Sequence, residues 1–468
     1  MKFLKSVLEK ITLKQLIILA ILAAADVFVI AAPYYIKNII PNLHSYLGIN
    51  EHDIAKLTSI IGWVTLATQL PGGFLANKFR SKYLLALATL STGLITIWFG
   101  INILNSKSTS QESLLLQYQI MFGLWGISTT LIFWTPLWKL VSQQTTKENQ
   151  GLAYGIQGVA NGIIGFVLVF LLGLLITNVW APRQKDSAAP FATYAFTIAI
   201  FLIITTVLVV VYVPEKFTKS TEPLSLEKIK KNIIHIFKAM SNWKLWMLSF
   251  FLLGMYTFQS VFAYYLLQMI QNAFLGPVLL VTILGGMRTY LMRVAISGFA
   301  GRLADKFRSY VLFLMIVLGI GIILIGIMVL LPFAASKSGE RNIFLIIASS
   351  FIFILVGLLS WIMVTLRYAQ VGETHIEKSS YASSIGILSF VGFSSDAWLY
   401  EVTAYVGKQY TEVGNSNTSI LGYQIIIIIS LSIALVGLLA GALVFIANTK
   451  ELKKLGKTNY RWRELENA

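Results

Sequence analysis

Twelve times along this chain a run of about twenty mostly apolar residues ends in a short polar gap. The runs fall at roughly 13–36, 56–77, 83–105, 113–139, 151–178, 192–213, 244–271, 277–300, 310–333, 343–368, 380–406 and 421–447. Twenty residues of helix cover the ~30 Å hydrocarbon core of a bilayer. Backbone inside that core must satisfy its own hydrogen bonds, which helices do within one segment. The chain therefore reads as an all-α membrane protein with twelve transmembrane helices. Its composition agrees: 56% of the 468 residues are hydrophobic and 12% charged, where soluble domains carry about 25% charged residues. The net charge of +17 would suggest nucleic acid in a soluble protein. Here the basic residues sit between apolar runs, so they read as topology signals and contacts with anionic lipid, and no nucleic-acid partner is expected. With no cysteines, thiolate chemistry and disulfides are excluded. The four histidines lack metal-ligand spacing, and no Ser-His-Asp or paired-carboxylate set lies outside the spans. Neither an enzyme nor a cofactor is expected. The run after Thr12 has no small-residue cleavage site and continues as a full span, unlike a removable signal.

A polar stretch at 214–243 separates the sixth run from the seventh. The organisation expected is an N-terminal six-helix bundle (1–213), an amphipathic linker on the cytoplasmic surface (214–243), a C-terminal bundle (244–448) and a basic tail (449–468). Lysine and arginine concentrate before the first run, in the second-to-third gap, in the eighth-to-ninth gap and in the tail, while the alternate gaps are poor in them. The positive-inside rule then places both termini in the cytoplasm, in an inner or plasma membrane.

Two of those basic gaps repeat each other. GFLANKFRS at Gly73–Ser81 and GRLADKFRS at Gly301–Ser309 share seven of nine residues, 228 positions apart. Tyr34-Tyr35 and Tyr264-Tyr265 recur 230 positions apart. The halves read as parallel repeats about an axis along the membrane normal. The pattern Gly73-x-Leu75-Ala76-Asn77-Lys78-x-Arg80, with its second copy through Gly301, Asp305 and Arg308, resembles the signature loop of the major facilitator superfamily. That resemblance extends over the whole twelve-helix plan and implies a secondary transporter working by alternating access. In the family the loop aspartate caps a helix and pairs with basic residues to hold the cytoplasmic side closed. Asn77 can cap but cannot form the ion pair, so the resemblance implies that Asp305 carries the latch. Within the superfamily, Tyr34-Tyr35 followed by Lys37 resembles the organophosphate antiporters. Their basic residue in the seventh helix has no counterpart in YTFQSVFAYYLLQ, and Arg288 in the eighth helix is the candidate to stand in for it.

Charged residues inside the apolar runs carry the sharpest functional signal, because a charge at mid-bilayer costs about 3 kcal/mol or more and needs a partner or a wet cavity. Asp26 interrupts the first run, Arg288 and Arg293 the eighth, and Asp396 the eleventh. Arg288 reads as an anion clamp or as the ion-pair partner of Asp26 or Asp396. Five residues of α-helix separate Arg288 from Arg293 by roughly 140°, so the two need not share a ligand. Asp26 and Asp396 are proton sites or counter-charges. Lys139 and Arg367, at inner helix ends, read as snorkelling side chains. Tyr34, Tyr35, Trp134, Tyr264 and Tyr290 supply aromatic bodies with polar tips and Gln157 an amide, groups suited to a sugar-like ligand, and Lys37 is a further basic candidate beside Arg288. Gly151, Gly155, Gly158, Gly162 and Gly165 line one face of the fifth helix, as a sliding interface or as close static packing.

The function expected is a monomeric secondary transporter of a small anionic solute, a sugar phosphate or carboxylate. The alternatives are a carrier of a neutral or cationic compound that uses a proton at Asp26 or Asp396 as coupling ion, and a non-transporting receptor on the same fold.

Overall fold

The structure is a computed structural model. It describes residues 11–145, 150–183, 188–215, 240–304, 306–334, 341–373, 381–454 and 456. Among the described residues, ten helices are long and apolar enough to cross a membrane: α1 (Leu13–Ile39), α3 (Ser81–Leu104), α4 (Gln111–Ser142), α5 (Leu152–Arg183), α6 (Ala188–Tyr212), α7 (Trp243–Ala273), α8 (Val278–Ile296), α9 (Tyr310–Phe333), α10 (Ile343–Leu366) and α12 (Ile420–Lys454). The two remaining places in the twelve-helix plan are filled by more polar or interrupted helices. α2 (Glu51–Lys78) is 28 residues long but opens with Glu51, His52, Asp53 and Lys56. α11 is split into Tyr381–Gly392 and Trp398–Gln409 by a 3-10 turn at Ser394–Asp396.

Local chemistry explains the ends. α1 starts at a reciprocal cap in which Gln15 N–H donates to Thr12 Oγ1 (3.3 Å) and Thr12 N–H donates to Gln15 Oε1 (2.8 Å). α2 starts at Asn50, whose N–H donates to Asp53 (3.0 Å). Pro33 does not break α1, because the helix widens into a π turn at Ala31–Tyr35, which tolerates the missing N–H and the ring.

The described helices group into two compact units. The first takes its residues from Met1–Thr221 and Pro277–Val294, the second from Glu222–Gly276 and Ala295–Ala468. In the first, α6 lies along α3 and α1, α1 along α5, and α2 along α4, while the opening part of α8 packs on α5 and the end of α1. In the second, α12 lies along α7 and α9, α7 along α11, and α9 along α10. The α1–α6, α3–α6 and α1–α5 contacts thus recur as α7–α12, α9–α12 and α7–α11, the neighbour pattern of parallel repeats. The α7–α12 crossing is a glycine contact: a Cβ on Gly254 would stand 2.9 Å from Gly437 Cα. Most of the expected linker and of the basic tail lies outside the described residues.

Each copy of the repeated loop feeds a helix whose first N–H groups have no intrahelical partner, and in each a glutamate from elsewhere supplies the acceptor. Ser81 N–H and Lys82 N–H donate to the two oxygens of Glu215, at 2.7 and 3.2 Å. In the second unit the buried Glu373 accepts from the Ser309 hydroxyl (2.6 Å), from Tyr310 N–H and from Val311 N–H (3.3 Å). Glu373→Gln keeps the shape and removes the charge from these bonds. It should cost about 1–2 kcal/mol of stability, read as a lower unfolding temperature in detergent. Glu412→Gln, on an exposed loop, should leave that temperature unchanged.

Candidate functional site

The first unit contains a polar cluster built from three helices. Asp26 of α1 is 1% exposed. Gln157 and Asn161 stand one turn apart on α5 and therefore share a face. Their amides donate to Asp26 Oδ2, Gln157 Nε2 at 3.0 Å and Asn161 Nδ2 at 2.7 Å. Asn161 Oδ1 accepts from an Arg293 guanidinium nitrogen at 2.8 Å, and Arg293 also lies 3.9 Å from Asp26 Oδ2. A carboxylate only accepts and a guanidinium only donates, so these neighbours fix the orientation of the Asn161 amide. Asp26 Oδ1 accepts no hydrogen bond from a described residue. The counter-charge of Asp26 is therefore Arg293. The sequence had offered the arginines of the eighth run for that place, Arg288 by name.

Arg288 and Tyr290 sit five and three residues before Arg293, on a π turn at Met287–Leu291. Arg288 is 3% exposed. Tyr290 is buried, its hydroxyl meets no described hydrogen-bond partner, and Tyr35 meets its ring edge-on with centroids 6.0 Å apart. Tyr34 and Tyr35 share the π turn of α1. The Tyr34 hydroxyl lies 3.2 Å from Thr129 Oγ1 and 3.5 Å from Thr65 Oγ1. Thr129 belongs to a further π turn, Ile127–Leu131. The threonines Thr65 and Thr129 escaped the sequence reading, because a hydroxyl in a span is usually bonded to its own helix and leaves no pattern. Lys37 donates to Thr58 (2.8 Å) and Trp134 stacks on Trp138 (6.4 Å between centroids, 15° between planes); neither has a described bond to the Asp26 cluster.

The glycine face of α5 is divided in its role. A Cβ on Gly162 would lie 2.0 Å from Val294 Cγ2, and one on Gly165 would lie 2.1 Å from the Tyr290 ring. These two glycines let α8 approach closely enough to deliver Tyr290 and Arg293. Gly155 and Gly158 meet nothing within 4 Å, and the side-chain position of Gly151 lies outside the described residues.

Two expected residues belong to the second unit. Tyr264 is buried against Tyr265, ring centroids 5.0 Å apart. Asp396, in the break of α11, accepts from the Tyr256 hydroxyl at 2.8 Å. In the signature loop, Gly73 has open space where a Cβ would stand, whereas Gly72 is pressed to 2.8 Å from the Leu131 carbonyl oxygen; the close-contact glycine is its neighbour. Gly301 lies within a helix, Arg80 and Arg308 are exposed, and the Asn77 side chain and all of Asp305 lie outside the described residues. Lys139 reaches the end of α2 and donates to the Ala76 carbonyl oxygen at 2.9 Å, one of the carbonyls a helix terminus leaves unpaired. It is thus a capping group, where the sequence suggested snorkelling.

A membrane-crossing bundle that encloses an ionic cluster has the build of a solute carrier. The family model of the Major Facilitator Superfamily matches residues 16–399, and the chain belongs to that superfamily of transporters. A Mycoplasma pneumoniae protein, "Uncharacterized protein MG294 homolog", is 59% identical over 99% of both chains. "Inner membrane protein YihN" of Escherichia coli is 20% identical over 82% of this chain and 84% of its own. Among solved structures, the nucleoside transporter NupG superposes with a TM-score of 0.59, at 16% identity, over 92% of this chain and 99% of its own; at that identity the likeness is one of fold.

The packing makes a differential prediction. Gly165→Val pushes a branched side chain into the Tyr290 ring and should cost about 1–3 kcal/mol through overpacking, read as a lower unfolding temperature. Gly155→Ala should be neutral or slightly stabilising in the same measurement.

Proposed function

We propose that this transporter carries a small organic anion, and that Arg288 is its chief electrostatic contact. One observation carries the reading. Asp26, Arg288 and Arg293 interrupt the apolar runs of the first unit: one carboxylate and two guanidiniums. Asp26 and Arg293 are tied together through Asn161, and Arg288 is a buried guanidinium five residues before Arg293 on the same helix. A low-dielectric surrounding amplifies its pull on an anion. A guanidinium meets phosphate or carboxylate through two parallel hydrogen bonds. Tyr290 and Tyr35 add ring surface and hydroxyl groups of the kind that orient a sugar-like body. Both termini are placed in the cytoplasm by the distribution of lysine and arginine.

The test is ligand-induced stabilisation of the purified protein, followed by uptake into proteoliposomes. Sugar phosphates and small carboxylates should raise the unfolding temperature, because a ligand that binds only the folded form stabilises it by mass action. The matching neutral sugars and nucleosides should not. Arg288→Gln should abolish uptake of the stabilising anion, at least a hundredfold if a buried charge-assisted contact of about 3 kcal/mol is lost, with normal membrane insertion. Equal stabilisation by neutral compounds, or unchanged uptake by Arg288→Gln, overturns the reading.

A second reading rests on Asp26. Its Oδ1 accepts no described hydrogen bond, which leaves a place for a proton on a carboxylate already bonded on its other oxygen. On this reading a proton moves with the solute, and its arrival at Asp26 loosens Arg293. Asp26→Asn should then remove the dependence of uptake on an imposed pH gradient while solute exchange continues; gradient-driven uptake that survives the substitution rejects it.

A further inference from the structure

We infer that the corner between α2 and α3 is a binding site for an anionic phospholipid. α2 ends at Lys78 and α3 begins at Ser81, with Phe79 and Arg80 in extended backbone between them. An open surface depression at this corner is lined by Lys78, Phe79, Arg80, Tyr83, Leu84 and Leu87, two cations beside four apolar or aromatic side chains. Glu215, a described acid at this corner, accepts from the N–H groups of Ser81 and Lys82. Lys78 Nζ stands 6.0 Å from the Phe79 ring centroid.

The apolar half of the site continues along α3. Tyr83, Leu87, Leu90 and Leu94 are all exposed, at 55%, 53%, 38% and 55%. Their spacing of four, three and four residues places them on one face of the helix. Eleven residues of helix rise about 16 Å, close to the ~15 Å hydrocarbon depth of a single leaflet. A positive corner at headgroup depth and an apolar lane one leaflet long match one occupant: a phosphodiester headgroup with net negative charge and an acyl chain beneath it.

The duplicated loop supplies an internal comparison. At the equivalent corner of the second unit, the Phe307 ring packs on Phe313 with centroids 4.8 Å apart. Position 313 corresponds to Leu85 in the first copy, which is buried. Leu85 offers no ring to Phe79, and Phe79 stays 49% exposed. Phe307 is half-buried beside that ring where Phe79 is exposed, so the first copy presents the more open aromatic wall. The lipid site belongs to the first copy.

The test is native mass spectrometry of the intact protein released from detergent, with phosphatidylglycerol and phosphatidylcholine of identical acyl chains in equal amounts. The wild type should retain phosphatidylglycerol in roughly thirtyfold preference at most, the scale of about 1 kcal/mol for each of two basic groups near a headgroup. Lys78→Gln/Arg80→Gln should lose the preference, and Lys306→Gln/Arg308→Gln, the same change in the second copy, should keep it. Leu87→Ala/Leu90→Ala should weaken retention of both lipids. Unfolding temperatures in detergent without lipid check that each variant folds. No preference in the wild type, equal loss from either pair of basic residues, or displacement of the lipid by inorganic phosphate at matched concentration would overturn the inference.

Discussion

A carboxylate within a span must be supported or neutralised, and Asp26 sets the arrangement of its whole neighbourhood. Leaving such a group unsupported in hydrocarbon costs about 3 kcal/mol or more. Two amides from α5 and a guanidinium from α8 offset that cost. The bonds also join three helices at one point, α1, α5 and the opening part of α8. Asn161 is the shared element, since it donates to the anion and accepts from the cation. An apolar residue there would take one donor from Asp26 and one acceptor from Arg293, and leaving buried charges less supported is costly. The cluster therefore reads as an ordering device that fixes the three helices at one point.

The backbone contributes as much as the charges. Tyr34 and Tyr35, Thr129, and Arg288 with Tyr290 each lie on a π turn. A π turn closes over five residues, as where Met292 N–H reaches the Met287 carbonyl. In a regular α-helix, positions five apart diverge by about 140°; a five-residue turn brings them nearer to one face. Arg288 and Arg293 are thereby less divergent than the α-helical spacing implies. Such turns are often found at functional sites, and here they coincide with the polar and aromatic residues of the first unit.

This explains why some features were legible in the sequence and others were not. The spans were legible because hydrophobic length is a local property, and the repeat because the loop copies share seven of nine residues. Asp26, Arg288, Arg293 and Gln157 were legible as site candidates because charge and amide groups are costly in lipid. The pairing was not. Choosing Arg293 over Arg288 as the partner of Asp26 depends on where a π turn resets the helical phase, which a 3.6-residue pattern does not encode. Gly73 was legible as the opening residue of the loop pattern, whereas the close packing of Gly72 on Leu131 depends on a neighbouring helix and leaves no pattern. Asn161 was visible as a polar residue, but its bridging role needs α1 and α8 both in place.

The repeat also shows how far two copies of a motif can drift while meeting the same demand. Both loops end in a serine that opens a helix, and both helices need an acceptor for their first N–H groups. The first unit draws it from Glu215, just beyond α6; the second draws it from Glu373, just beyond α10. A carboxylate at a helix N-terminus is favoured by the helix dipole wherever in the chain it originates, so the interaction can persist while the residue that supplies it moves. Beyond the serine no such demand applies. There Leu85 and Phe313 diverge, and with them the surface each loop presents. The shared part of the motif thus holds the helix start, and the divergent part is where the two halves acquire different neighbours.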